Sequence, residues 1–130
     1  MKKYLLTLLA LPFLATSCSK SGDDNPTPSN GPREYQVEYR ITGTGISSAD
    51  VIYRDNTGTQ VTDGLQPLPK TYSFKRTMVA SEPVGCGAFL NGSAPATATI
   101  TATILIDGKQ VKTETGTGAS AQAVPVYLIP

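Results

Sequence analysis

The sequence predicts an all-β protein, with an immunoglobulin-like β-sandwich of about seven antiparallel strands over residues 34–130. Three observations support this fold class. Apolar and polar residues alternate with period two along several segments. Turn-forming pairs separate those segments, among them Asp63-Gly64, Asn91-Gly92 and Asp107-Gly108. No segment after the first residues of the chain has the periodicity of an amphipathic helix.

Seven strands are predicted in this part of the chain. In chain order they are Tyr35–Ile41, Val51–Tyr53, Leu68–Met78, Val84–Leu90, Thr97–Ile106, Lys109–Thr115 and Ala121–Ile129. A turn at Asp55-Asn56-Thr57-Gly58 closes the second strand, and Asp107-Gly108 predicts a type I′ hairpin. Pro125 predicts an edge strand or a bulge. We interpret the threonine row of 97–106 as a solvent-facing surface of good β-formers, the alternative being an ice-binding array.

Residues 1–17 are typical of a lipoprotein signal peptide. Lys2 and Lys3 form a positive n-region, and Tyr4–Leu14 forms an apolar run of about 11 residues, too short to span a ~30 Å hydrocarbon core. Small residues lead up to Cys18, as lipoprotein signal peptidase requires. We therefore predict that Cys18 is lipidated and becomes the new N-terminus, which places the protein in the cell envelope. The alternative is an ordinary secretory peptide with an incidental cysteine.

The acylated Cys18 is followed by a predicted tether that runs to residue 33. Ser19–Pro32 has no apolar residue and three prolines, a composition that predicts disorder. Asp23-Asp24 resembles the acidic export tag of surface-exposed lipoproteins of Bacteroidota. This resemblance implies an outer-membrane protein displayed at the surface. The alternative is a solvated acidic pair in a linker.

Composition argues against several classes of function. The full chain has 11 Lys+Arg and 10 Asp+Glu, and loss of Lys2 and Lys3 with the signal peptide leaves a net charge of −1, which gives no basis for nucleic-acid binding. The chain has no histidine and no tryptophan, so His-dependent triads and the Cys…Trp…Cys pattern of true immunoglobulin domains are absent. Cys86 is the one cysteine left after lipidation, and we interpret it as a packed strand residue. We expect no metal, no cofactor and no enzymatic activity.

Several segments resemble the mycobacterial small membrane protein family, MmpS, over most of residues 35–124. The resemblance lies in Tyr39-Arg40-Ile41-Thr42-Gly43, Ala49-Asp50-Val51-Ile52-Tyr53, Leu68-Pro69, Ile100-Thr101-Ala102-Thr103-Ile104-Leu105-Ile106-Asp107-Gly108-Lys109, Val111-Lys112 and Gly116 to Ala119. It implies a small β-sandwich that assists large lipid exporters of the resistance-nodulation-division (RND) class, and it implies no catalytic residues. The family is anchored by a transmembrane helix, whereas this chain has the lipid on Cys18.

The leading hypothesis is a lipid-anchored, non-enzymatic binding or accessory protein of the cell envelope that assists RND-type export of lipids or small molecules. Its partners would be the membrane, through Cys18, and an envelope transporter or another envelope protein. One alternative is a surface adhesion or glycan-binding module, for which the candidate aromatics are Tyr35, Tyr39, Tyr53, Tyr72 and Tyr127. Another is a structural envelope lipoprotein without a ligand. The sequence identifies no ligand-binding residues.

Overall fold

The protein is a β-sandwich of two antiparallel sheets, as the computed structural model describes it for residues 31–130. The strands are β1 Arg33–Thr44, β2 Ser48–Arg54, β3 Gln60–Pro67, β4 Lys70–Met78, β5 Pro83–Phe89, β6 Thr99–Ile106, β7 Lys109–Thr117, β8 Gln122–Ala123 and β9 Val126–Leu128. Sheet one has the order β4-β1-β6-β7. Sheet two has the order β3-β2-β5, and β8 and β9 both pair with the far edge of β5.

The predicted all-β fold class is confirmed, and the immunoglobulin-like assignment stays a prediction. β1 begins at Arg33, one residue before the predicted start of the domain. The signal peptide, Cys18 and the tether up to residue 30 lie outside the described residues. Within the described part of the chain, no helix is long and apolar enough to cross a membrane.

One strand, β3, was not predicted. The prediction of a turn at Asp63-Gly64 is wrong. The pair lies inside β3, where the register against β2 shifts between Val51 and Ile52. Gly64 has φ +67°, a conformation that glycine adopts without strain and that a bulge can use as well as a turn. The Asp-Gly pair therefore bends a strand here instead of ending one.

The end of the chain also differs from the prediction. The single strand expected over 121–129 is two short strands, β8 and β9, separated by Val124-Pro125. Proline lacks the N–H that a sheet ladder needs, and the break falls at that residue. The hairpin turn at Asp107-Gly108 is confirmed, because both residues have positive φ (51° and 78°), as a type I′ turn requires.

The core lies between the sheets and is formed by alternate residues of each strand. Val37, Tyr39 and Ile41 of β1 are fully buried, and Ala49 and Val51 of β2 face them from sheet two. Burial of a Val or Ile side chain contributes roughly 1.5–3 kcal/mol relative to exposure. Period-two alternation thus determines which face of each sheet points inward. It does not determine the composition of the two outer faces, which differs between the sheets.

One side of the sandwich is closed by a close approach of backbones. A Cβ at Gly116 of β7 would lie 2.3 Å from the carbonyl oxygen of Gln122 in β8. Only glycine permits this contact between the edges of the two sheets. Nearby, the Glu114 carboxylate accepts a hydrogen bond from the Val124 N–H at 3.2 Å.

Candidate functional site

The outer face of sheet one is polar. Its threonine hydroxyls are hydrogen-bonded to each other across strands, in the pairs Thr44–Thr99 (2.6 Å), Thr101–Thr115 (2.8 Å) and Thr103–Thr113 (2.9 Å). Lys75 and Glu34 form an ion pair on the same face at 2.8 Å. These groups satisfy one another, which supports the interpretation of the threonine row as a solvent-facing surface.

The outer face of sheet two carries, beside polar residues such as Asp50, Arg54 and Thr62, a group of apolar side chains. We call it the apolar face, and its members are Ile52, Leu65, Phe89, Val126 and Leu128. Three of the five are largely exposed: Leu65 (61%), Val126 (53%) and Leu128 (58%). Single exposed apolar residues are common on proteins, but a group on one sheet face is typical of a binding surface.

Two glycines of β5 make room for the side chains on the apolar face. A Cβ at Gly87 would lie 2.9 Å from Cε2 of Phe89 and 3.0 Å from Cγ1 of Ile52. A Cβ at Gly85 would lie 3.3 Å from Cγ2 of Val126. The side chains of the neighbouring positions therefore lie directly over the β5 backbone.

An open cleft of about 280 Å³ lies at one end of the apolar face. We call it the terminal cleft, and it is bounded by the β1–β2 loop, the start of β2, Leu65 of β3 and the β5–β6 loop. Its lining includes Asp50, Phe89, Asn91 and several serines. It combines apolar surface with hydrogen-bonding groups, which is the usual composition of a small-ligand site.

The loops that line the terminal cleft are held by backbone hydrogen bonds. The Leu90 N–H donates to the Ala121 carbonyl at 2.9 Å. In the other loop, the Ser47 carbonyl accepts from the Leu68 N–H at 2.9 Å. Both walls of the cleft are thus fixed to neighbouring segments of the fold.

A second, smaller cleft of about 120 Å³ lies on the same side of the protein. Its lining includes Ile52, Arg54, Gln60 and Val126. Ile52 borders this cleft and Phe89 borders the terminal cleft, and their side chains meet over Gly87. The apolar face therefore joins the two clefts.

Tyr39, one of the aromatics considered for glycan binding, lies wholly in the core. Its hydroxyl donates to the Arg54 carbonyl at 3.1 Å and accepts from the Gly85 N–H at 3.3 Å, so that a side chain of sheet one bonds to the backbone of sheet two. Burial raises the pKa of Tyr39 to about 12. This residue is not available to a ligand.

Tyr53 and Tyr72 stack on each other between the sheets, with ring centroids 4.2 Å apart. The Tyr72 hydroxyl donates to Oδ2 of Asp63 at 2.6 Å. The pKa of Tyr72 is raised, chiefly by burial and to a smaller extent by the Asp63 carboxylate. Tyr35 and Tyr127 are partly buried and pack against the core. Of these five tyrosines, Tyr53 alone borders a cleft, the smaller one.

Cys86 is a packed residue of the core, which confirms the interpretation made from the sequence. It is 3% exposed and lies opposite Tyr53 in the pairing of β5 with β2. Burial, with a smaller effect from the charge of Glu114, raises the pKa of the Cys86 thiol to about 12. The thiol is therefore protonated at neutral pH and is a poor nucleophile.

No group of histidine, cysteine and acidic side chains within residues 31–130 has the geometry to hold a metal ion. Cys18, the lipidation site predicted from the sequence, lies outside that part of the chain. Sequence reasoning did not single out Phe89, Leu65 or Asp50, which the sheet order brings together.

No protein-family model matches the chain, and no curated protein matches it.

Proposed function

We propose that the protein is a lipid-anchored, non-enzymatic binding protein of the cell envelope, with an immunoglobulin-like sandwich on a tether. The observation that carries the binding role is the contrast between the outer faces. Sheet one presents hydroxyls and charges that pair with each other, whereas sheet two presents an apolar face and the terminal cleft. An exposed apolar surface beside a cleft is suited to a partner or a ligand.

The chemistry of the described residues favours binding over catalysis. The most reactive side chain, the Cys86 thiol, is buried and protonated. The acidic groups Glu34, Glu38, Glu82 and Asp107 form ion pairs with basic side chains. Neither arrangement provides a nucleophile with an adjacent general base.

The anchor is tested by labelling cells with radioactive palmitate. We expect label in the wild type and in the matched control Cys86→Ala, whose cysteine is in the core, and no label in Cys18→Ala. Two or three acyl chains on Cys18 would hold the protein on the membrane almost permanently. Equal label in Cys18→Ala and wild type would contradict the proposed anchor.

Surface display is tested by protease treatment of intact cells. If Asp23-Asp24 acts as an export tag, the wild type is digested and the double substitution Asp23→Asn with Asp24→Asn is protected. Fractionation of the same cells should place both proteins in the outer membrane. Protection of the wild type would show that the domain faces the periplasm.

A narrower version of the proposal is an accessory role in RND-type export of lipids or small molecules. It rests on the resemblance to the MmpS family. Deletion of the gene should then reduce envelope lipid export or drug efflux, and unchanged export and efflux would contradict the role. Cross-linking in intact cells separates it from a structural lipoprotein, which would give no reproducible partner.

A further inference from the structure

Asp50 stands between two apolar side chains at the terminal cleft. It lies directly opposite Leu65 of β3 on one side and Phe89 of β5 on the other, so that the three residues form one row across sheet two. Cross-strand neighbours on one face have Cβ atoms about 4.5–5.5 Å apart. A carboxylate is thus flanked at short range by a leucine and an aromatic ring.

The aromatic ring in this row has a fixed position. Cε2 and Cζ of Phe89 lie 2.9 Å and 3.0 Å from the point where a Cβ at Gly87 would be. Cγ1 of Ile52, on the neighbouring strand β2, lies 3.0 Å from the same point. The ring is half-buried and borders the terminal cleft. A ring held in this way loses little freedom when a ligand packs on it.

Polar groups of the cleft remain available for a ligand. The ion pairs of residues 31–130 involve Glu34, Glu38, Glu82 and Asp107 but not Asp50, and the Asp50 carboxylate borders the cleft as an acceptor. The amide oxygen of Asn91 accepts from the Ser93 N–H at 3.2 Å, which leaves the Asn91 amide nitrogen as a donor.

We propose that the terminal cleft binds one neutral sugar ring of a larger glycan, with the Phe89 ring against the apolar C–H face of the sugar and the Asp50 carboxylate accepting hydrogen bonds from its hydroxyls. The inference rests on the proposed function, because it names the ligand class of that binding protein. A sugar ring has one apolar face and a rim of hydroxyl donors and acceptors, which matches this combination of groups.

The charge and the size of the terminal cleft restrict the class of ligand further. No lysine or arginine lines the terminal cleft, so a phosphate or an acidic sugar would meet the Asp50 carboxylate without a compensating cation. The volume of about 280 Å³ lies just below the roughly 300–1,000 Å³ of pockets for drug-sized ligands, which favours a ligand as small as a single sugar ring. The open side of the cleft leaves room for the rest of a glycan chain.

The test is saturation-transfer NMR on the full-length protein purified in detergent micelles. Glucose, galactose, mannose, fucose and N-acetylglucosamine are the neutral probes, glucuronic acid is the acidic probe, and choline is the cationic probe. The variants are Asp50→Asn and Phe89→Leu, both close in size to the native residue, and the matched control is Glu34→Gln on the outer face of sheet one. Circular dichroism establishes that each variant is folded.

We expect at least one neutral sugar to bind with a millimolar Kd and to bind about tenfold more weakly, or not at all, to Asp50→Asn and to Phe89→Leu. Glu34→Gln should bind like the wild type. The proposal is overturned if no neutral sugar binds the folded wild type, if both cleft variants bind normally, or if glucuronic acid binds at least as well as the neutral sugars. Preferential binding of choline would show a cation site and would also overturn it.

These outcomes are distinct from those that test the anchor. Palmitate label on Cys18 without sugar binding would leave a lipid-anchored binding protein whose ligand is of another class. Sugar binding without palmitate label would retain the cleft and remove the lipid anchor.

Discussion

The outer faces of the two sheets are built in opposite ways. On sheet one, threonines and charged residues pair with side chains of the neighbouring strands, although the β6–β7 register also shifts once, between Ile104 and Leu105. On sheet two, a bulge between Val51 and Ile52 and two glycines in β5 interrupt the regular surface and bring apolar side chains over the backbone. A face whose polar groups already pair with one another has little left to offer a ligand, whereas a face with exposed apolar side chains and a cleft has more.

Thiol reactivity gives the largest expected contrast between the sheets. Two proteins with one cysteine each are compared. In Cys18→Ala the remaining thiol is Cys86, with a pKa of about 12. In the triple variant Cys18→Ala, Cys86→Ala, Thr113→Cys the thiol lies on the outer face of sheet one and should have an ordinary pKa of about 8.5. Because the thiolate is the nucleophile, iodoacetamide at pH 8 should label Cys86 roughly a thousandfold more slowly. Mass spectrometry follows the reaction. Similar rates in the folded proteins would mean that the inner side of sheet two is open to solvent.

The same side chain placed on each outer face should have unequal effects. Gly87→Val puts methyl groups where Phe89 and Ile52 lie, which we expect to cost about 1–3 kcal/mol of unfolding free energy. Thr103→Val on β6 keeps the shape of the side chain and loses one exposed hydroxyl pair, so we expect a change within about 0.5 kcal/mol. Urea unfolding measures both. Equal stabilities would contradict the close packing over β5.

A charge on each face should separate surface chemistry from stability. Leu65→Lys on the apolar face and Thr115→Lys on sheet one both alter exposed side chains, so each should change the unfolding free energy by less than about 0.5 kcal/mol. Fluorescence of a dye that binds exposed apolar surface should fall in Leu65→Lys alone. A similar fall in both variants would mean that the dye does not report on the apolar face.

The smallest expected effect is a pH dependence in the β2–β3 turn of sheet two. The Asp55 carboxylate accepts from the Thr57 hydroxyl (2.7 Å), the Thr57 N–H (2.8 Å) and the Thr59 N–H (3.1 Å), and chiefly the bond from the Thr57 side chain lowers the pKa of Asp55. Because the pKa is lower in the folded state, the charged form stabilises the fold above about pH 4, and this contribution is lost as the pH falls through the folded pKa.

Asp55→Asn isolates that charge, because asparagine keeps an acceptor oxygen in the turn. We expect the melting temperature of the variant to lie below that of the wild type at neutral pH, and we expect a smaller difference at an acidic pH, below about 4. Thermal unfolding followed by circular dichroism measures both values. A difference that is the same at both pH values would assign the effect to geometry and not to charge.

Local alternation predicted much of the fold. The spacing of Val37, Tyr39 and Ile41 identified a strand and its inward face, because side chains of a strand point alternately to opposite sides. Tyr35 lies on the same face by the same alternation, and it packs against the core. At Asp63-Gly64 the prediction from local sequence failed, since one dipeptide with a positive-φ glycine serves both a turn and a bulge.

The candidate site could not be predicted in the same way. The row of Leu65, Asp50 and Phe89 depends on the order β3-β2-β5 and on a register that the bulge shifts. Strand order and register are set by residues far apart in the sequence. A one-residue slip in the register would send each of these side chains to the other face. Phe89 lies on the opposite face from its buried neighbours Ala88 and Leu90, but the glycines and apolar residues of β5 have no polar alternation that would identify the exposed face.

The break at Pro125 has a consequence for crowding. A continuous outer strand beside β5 would leave a long row of unpaired backbone groups, a template on which further copies could add as strands and aggregate. Instead the edge consists of a two-residue strand and a three-residue strand, and the proline between them has no N–H to offer. At this edge, the interruption keeps neighbouring copies of the protein from adding as further strands and growing into a fibre.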